Sequence, residues 1–250
     1  MIEYIFQIPS YDREHKQLTV KLLREMGYDK SQIIIGVDNE EQKEKYEQTV
    51  GDDATIVVCN STNCAEARYK MLADTEPNRY VVTLDDDITS FSRFKDEKTL
   101  VPYKTKEEFD AQLDRCFEFA KSHNAMLWGA YPVVNPYFMS ETIDIKNVTL
   151  ATFMGIISGP FNFNPVWRVK EDYELCLREM ASGLNCIRFN YIVAEATHHT
   201  PGGAMRQWNS GQDELFTKKL CKLFPTMITP SKNASGFRFN GMVKYKGKIV

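Results

Sequence analysis

Apolar runs alternate with amphipathic stretches along the first third of the chain. Tyr4-Ile5-Phe6-Gln7-Ile8 precedes residues 12–26, where Leu18, Leu22, Leu23 and Met26 share one helical face and Gly27 supplies a stop. Ile33-Ile34-Ile35-Gly36-Val37 precedes a helix-like segment over 39–49. A third run, Thr55–Val58, leads into a segment from Asn63 to Leu72, and Tyr80–Leu84 follows. Strands that alternate with helices predict an α/β fold in which a mostly parallel, Rossmann-like sheet is covered on both faces. Ligands then bind beyond the carboxyl ends of the strands.

The pattern continues less regularly. Thr105-Lys106-Glu107-Glu108 has capping-box spacing and predicts a helix with Phe109, Leu113, Cys116, Phe117 and Ala120 inward. Ala125–Trp128 reads as a buried strand. Residues 129–165 are rich in Pro, Asn and aromatics, with Val148–Ile157 as the strand candidate inside them, and so long an irregular stretch predicts functional loops. A helix opens at Glu171-Asp172 and ends at Gly183, a strand covers Asn185–Ala194, and a last helix spans Gln212–Phe224.

At the end of the fourth apolar run stand three consecutive acids, Asp85-Asp86-Asp87. Like charges at the end of a buried strand repel unless a cation or hydrogen-bond donors compensate, so the triplet is either a site for a hard divalent metal or a solvated acidic turn. Its neighbours at equivalent strand ends are Pro9-Ser10-Tyr11 and Asp38-Asn39. Asp87 is the principal metal candidate and Asp85 holds a ribose or a metal-bound water. Asp86 points the other way on an extended backbone and serves the fold or the sugar.

Manganese also accepts imidazole, which brings in the adjacent His198 and His199, with His199 preferred. They sit in a Thr-His-His-Thr-Pro-Gly-Gly stretch whose Gly202 and Gly203 suit a mobile, substrate-covering loop. Glu171 and Asp172 form the other acidic pair at the mouth of an element. Asp172 suits a general base for a hydroxyl acceptor, against the simpler role of two acids favouring a helix N-terminus.

Composition adds limits. The chain has 250 residues, 43% of them hydrophobic, enough for one large domain, and no linker-like stretch divides it. Six scattered cysteines without CxxC spacing suggest reduced thiols, and the absence of a leader or bilayer-length apolar run suggests a soluble, cytoplasmic protein. Charge is uneven. From Glu214 onward eight bases face that one acid, a net of +7, so a total of −3 leaves −10 on the first 213 residues. Such a tail either solubilises or binds a polyanion, and the interleaved Phe237, Phe239 and Tyr245 favour nucleic acid.

Ile8-Pro9-Ser10-Tyr11-Asp12-Arg13, Asp38, Arg68, the Asp85-Asp86-Asp87 triplet in the DxD position, Glu171-Asp172 in the ED position and a late His together resemble the GT-A superfamily of nucleotide-sugar glycosyltransferases over about residues 1–205. Within it, the compact size, the acidic triplet, Lys170-Glu171-Asp172-Tyr173 and the His-Thr-Pro-Gly-Gly loop resemble the branch associated with TET/JBP oxygenases, whose relatives glycosylate hydroxymethylated pyrimidines in DNA, phage enzymes among them. The resemblance implies a UDP-sugar donor half over 1–90, an acceptor half over 91–205, and a C-terminal helix and basic tail over 206–250. It also implies binding of the nucleotide-sugar by Pro9, Ser10, Tyr11, Arg13, Asp38, Arg68, Asp85 and Asp86. Asp85, Asp87 and His199 would hold Mn2+ or Mg2+, and Asp172, with Glu171 beside it, would be the base of an inverting transfer.

Trp128, Tyr131 and Trp167, with Gly202 and Gly203, are the implied acceptor contacts, and Tyr137, Phe138, Phe161 and Phe163 are further aromatics that can stack on a base. A saccharide, protein or lipid acceptor fits the same fold, and a silent nucleotide-binding module is the reading from another class.

Overall fold

The computed structural model describes residues 3–159, 167–197, 210–232 and 236–247. The expected alternation forms the first half: β1 (Tyr4–Pro9), α1 (Leu18–Glu25), β2 (Ile33–Val37), α2 (Glu40–Val50), β3 (Thr55–Val58), α3 (Cys64–Ala73) and β4 (Tyr80–Leu84). Asn39 and Asn63 start α2 and α3 by accepting the backbone N–H of Gln42 and Glu66 at 3.0 and 2.9 Å. A hairpin then follows, β5 (Ile88–Asp96) and β6 (Thr99–Pro102), before α4 (Lys106–Ser122) and β7 (Ala125–Ala130). Thr105 caps α4 through Glu108, but the Glu108 carboxylate accepts from the N–H of Lys104, so only half of the predicted box forms.

The later elements are β8 (Ile143–Lys146), β9 (Phe153–Ile157), α5 (Glu171–Ala181), β10 (Asn185–Phe189), β11 (Ile192–Ala196), α6 (Ser210–Leu223), β12 (Ile228–Pro230), β13 (Phe237–Phe239) and β14 (Val243–Lys244). The main sheet runs in the order β14-β8-β10-β7-β9-β4-β1-β2-β3. β9 is antiparallel to both β4 and β7, and β8 to both β10 and β14, so among the described residues seven of the nine strands point one way. The carboxyl ends of β1, β2, β4, β7 and β10 therefore share one edge. A smaller sheet, β11-β5-β6, stands beside it.

Two expectations need correction. The helix predicted over 12–26 starts only at Leu18: Asp12 adopts a positive φ of 50° and Glu14–Lys16 forms a single 3-10 turn, which leaves Arg13 in a loop. The strand predicted over Asn185–Ala194 is two strands in two sheets, broken at Asn190-Tyr191. A continuous apolar run carries no mark of which sheet each half joins.

Successive residues on a strand face opposite ways, and the core divides accordingly. Phe153 and Trp128 join Phe6, Tyr28, Phe109 and Phe117 on one face, whereas Met154 and Leu127 join Trp167, Leu177 and Phe216 on the other. Trp128 and Trp167 are therefore corrected from acceptor contacts to core. Trp128 is 0% exposed and rings Phe117, Phe153 and Phe189 at centroid distances of 5.3, 5.5 and 5.9 Å; Trp167 is 3% exposed and packs on Phe216 at 5.3 Å. The tail aromatics are anchored likewise. Phe237 packs on Tyr173 at 5.1 Å, and Tyr245 on Phe119 and His123 at 5.0 and 5.3 Å, so they are half-buried rather than free to stack on bases.

Trp128 lies across Gly155 of β9, where an added Cβ would stand 2.0 Å from the indole. Neither partner can yield cheaply in a close-packed interior. Gly155→Ala is expected to cost about 2 kcal/mol, roughly 4–8 °C in Tm, with a changed Trp fluorescence on melting. An unchanged melting curve would show that the indole moves freely.

Candidate active site

Asp85, Asp86 and Asp87 form the turn between β4 and β5, and one threonine of α1 holds it. Thr19 donates its hydroxyl to the carbonyl of Asp85 at 2.6 Å, accepts the N–H of Ile88 at 2.9 Å, and donates its own backbone N–H to the carbonyl of Asp86 at 3.3 Å. From the other side the N–H of Asp85 reaches the carbonyl of Thr152, just before β9, at 3.3 Å. The carbonyl of Asp87 accepts the N–H of Thr197 at 3.1 Å.

The three side chains then part company. Asp86 is 4% exposed; one of its oxygens takes the Ser10 hydroxyl at 2.5 Å and the other the Arg13 guanidinium at 2.6 Å. Arg13 also approaches Asp87 at 3.6 Å. Tyr46 braces this half, its hydroxyl 2.7 Å from the Ser10 hydroxyl and accepting the N–H of Arg13 at 3.1 Å. Burial pushes the Asp86 carboxyl above its ordinary value, while Ser10 and Arg13 pull it back.

Asp85 turns toward Arg68 of α3. That guanidinium donates to Asp85 at 3.1 Å, to Glu171 at 2.7 Å and to the Thr83 hydroxyl at 3.0 Å. Burial opposes its charge, but Glu171 and Asp85 outweigh burial and hold its pKa above the ordinary value. Such charge-assisted bonds are each worth about 1.5–3 kcal/mol.

Through Arg68 the acidic turn meets the first turn of α5, 86 residues farther along the chain. Lys170 precedes it in a left-handed conformation, φ 61°, which aims Glu171 and Asp172 back toward β4 and β9. Asp172 is fixed at both oxygens, accepting the N–H of Ala151 at 3.2 Å and of Tyr173 at 2.8 Å. Both acids line a small, mostly apolar slot of about 30 Å3 with Arg68, Tyr69, Met154 and Leu175. Burial and the neighbouring Asp172 push Glu171 up to about 7 against the pull of Arg68. Asp172 is raised by burial too, with its two backbone donors acting against the rise. A carboxyl pair that gives up a proton near neutrality is suited to acid–base work.

Of the other expected residues, Pro9 ends β1 and Tyr11 is half-buried in the loop beyond it. Asp38 follows β2, is 9% exposed and accepts the Ser61 hydroxyl at 2.7 Å. Tyr131 follows β7 with the Arg188 guanidinium 5.6 Å from its ring centre. His199, Gly202 and Gly203 lie outside the described residues, as do His198, Phe161 and Phe163.

Among the described residues no three His, Cys, Asp or Glu side chains converge as a metal site; Asp85 and Asp87 instead face guanidinium groups. The donor set for Mn2+ or Mg2+ is thus incomplete there. Sequence reading passed over Thr19, Tyr46, Thr83 and Ser61. Thr19 alone left a trace, as a polar residue in step with Leu22, Leu23 and Met26 on an apolar stripe.

A model of the family described as TET-Associated Glycosyltransferase matches residues 4–207. The chain belongs to the TET-associated glycosyltransferases. It is therefore a glycosyltransferase, and its α/β, GT-A-type architecture agrees with the expectation from its motifs. A search of curated proteins found no match. Among solved structures this glycosyltransferase is similar to a mycobacterial protein at 9% identity, over 98% of this chain and 83% of that one, with a TM-score of 0.53, which shows the fold. It also resembles residues 1–349 of S. aureus TarS in complex with UDP, at 12% identity over 90% and 72% of the two chains, with a TM-score of 0.49. No described helix of this TET-associated glycosyltransferase is long and apolar enough to cross a membrane, and none of its six cysteines forms a disulfide.

The raised Glu171 pKa has a sign. Folding lifts it from 4.5 to about 7, so between those values the native state keeps a proton that the unfolded chain has lost, and this group's stabilising contribution falls as pH rises. Urea midpoints across that window are expected to show Glu171→Gln gaining on the wild type as pH increases. A pH-independent difference between the two proteins would count against the assignment.

Proposed function

We propose that this enzyme moves a sugar from a UDP-sugar to the hydroxymethyl group of a modified pyrimidine in DNA, with inversion at the anomeric carbon and Asp172 as the base. One observation carries the reading: Arg68 bridges Asp85 of the acidic turn and Glu171, the neighbour of Asp172, so one cation lies between the turn that would meet the diphosphate and the acids that would take the proton. The family's association with TET oxygenases, which make hydroxymethyl groups on pyrimidines, supports the acceptor, and the UDP complex of TarS is in keeping with the donor.

In this reading the acceptor hydroxyl attacks the anomeric carbon, the bond from that carbon to the phosphate oxygen breaks, UDP leaves with the electron pair, and the hydroxyl proton passes to Asp172. The Ala151 and Tyr173 N–H groups fix the direction of that carboxylate, while the apolar slot wall limits water around it. Arg68 neutralises charge that develops on the diphosphate, and Ser10, Tyr11, Arg13 and Asp38 line the sheet edge for the nucleoside. A divalent cation bound by Asp85 and Asp87 would supply electrophilic assistance to the departing diphosphate.

Radiolabelled UDP-sugars incubated with hydroxymethylpyrimidine DNA test the acceptor, and label on oligosaccharide but not on DNA would overturn it. Asp172→Asn is expected to lower kcat by about 10²–10⁴ with UDP binding kept, and wild-type kcat/KM to rise with pH as the base, held above the ordinary carboxylate range by burial, loses its proton. EDTA is expected to abolish transfer and Mn2+ to restore it; full activity after chelation would leave the charge compensation to Arg13 and Arg68.

A further inference from the structure

Away from the acidic turn, one open channel runs between the small sheet and α4. Its wider part, about 420 Å3, is lined by residues that include Arg93, Lys95, Arg115 and Tyr191. The narrower part, about 250 Å3, shares Arg93 and Arg115 and extends to Tyr103. The three bases face two acids among the lining residues, Glu108 and Glu141.

Of the ten described arginines four, Arg93, Arg115, Arg168 and Arg238, pair with no carboxylate, and two of these, Arg93 and Arg115, share one groove. Arg13, Arg24, Arg68, Arg79, Arg178 and Arg188 each face a carboxylate. Among the described residues the guanidinium groups of Arg93 and Arg115 have neither a hydrogen bond nor an ion pair, although both are exposed in the same groove. Two unpaired guanidinium forks in one concavity, where three bases outnumber two acids, suit an anion with oxygens spaced along its length.

Beside β5 lies the short turn Pro136–Phe138, which carries two aromatic side chains into solvent. Tyr137 is 69% and Phe138 59% exposed, next to exposed Val133 and Val134. The loop is tied down at both ends: the N–H of Tyr131 reaches the carbonyl of Ile192 at 2.8 Å, and the N–H of Ser140 that of Asn190 at 3.2 Å. Exposed rings on an anchored loop beside unpaired cations combine the two features that hold single-stranded nucleic acid: stacking surfaces and phosphate contacts.

The position suits the candidate active site as well. Arg93 stands five residues beyond Ile88, roughly 17 Å along β5 from the acidic turn at ~3.4 Å per residue. Tyr191 follows β10, whose carboxyl end shares the sheet edge with those of β1 and β4.

We propose that this channel takes the phosphate backbone of the acceptor DNA strand, with Arg93 and Arg115 on phosphates and Tyr137 and Phe138 stacked on bases flanking the one to be glycosylated. The inference rests on the DNA acceptor proposed above. It relocates DNA recognition from the basic tail to the β5–β6–α4 channel and its neighbouring loop.

The test is fluorescence anisotropy of an unmodified single-stranded pyrimidine oligonucleotide from 50 to 200 mM salt, with far-UV circular dichroism and UDP binding as controls for folding. Arg93→Ala/Arg115→Ala is expected to lower the slope of log affinity against log salt by about 1.4, two contacts at ~0.7 each. Tyr137→Ala/Phe138→Ala is expected to weaken binding by about thirtyfold or more without changing that slope. Affinities within twofold of wild type in both variants overturn the proposal, as does competition by polyphosphate equal to that by DNA with no effect of the aromatic variant.

Transfer to hydroxymethylpyrimidine DNA, measured on the same samples, separates the two readings. Wild-type transfer with unaltered binding by the variants removes the channel and keeps the acceptor. Channel-dependent DNA binding without any wild-type transfer does the reverse.

Discussion

Three carboxylates in succession at the end of a buried strand have to be neutralised from more than one direction, and the site is organised around that requirement. A guanidinium arrives from either side: Arg13 from the loop after β1, and Arg68 from α3. Each brings other residues with it. Arg13 draws in Ser10 and Tyr46, and Arg68 draws in Thr83 and Glu171. The sheet edge thus becomes two electrostatic cells that share a turn, one buried around Asp86 and one more open around Asp85.

The placement of β9 makes the second cell possible. By entering antiparallel between β4 and β7 it starts, rather than finishes, at the edge that carries the acidic turn, so Ala151 and Thr152 arrive where their backbone groups can meet Asp172 and Asp85. Gly155 in mid-strand admits the indole that fills the core beneath. Core packing and site geometry therefore depend on one short strand. Its setting between oppositely directed neighbours could not be read from its apolar residues alone.

Much of the rest was legible. The α/β alternation, the cap at Thr105 and the placing of Pro9-Ser10-Tyr11 and the acidic turn at strand ends follow from periodicity and capping chemistry, while Arg13 and Arg68 came with the family resemblance. What escaped shares a physical cause. Trp128 and Trp167 looked available because burial is a property of the packed sheet, not of the residue type. Arg93 and Arg115 drew no attention, since a missing partner is visible only once every neighbour has been placed. The β5–β6 hairpin and the break at Asn190-Tyr191 are choices of strand partner, which local pattern does not encode. Thr19 was hidden by the apolar face it interrupts.

Arg68 has a finite number of donors, and in this structure three of its five N–H groups are engaged with Asp85, Glu171 and Thr83. An arriving anion would share the guanidinium with two carboxylates, and a carboxylate that shares its cation holds a proton more tightly. In the proposed reaction, charge on the donor side and basicity on the acceptor side would therefore be coupled through one side chain. A guanidinium shared in this way makes protonation on one side of the turn depend on the charge brought to the other.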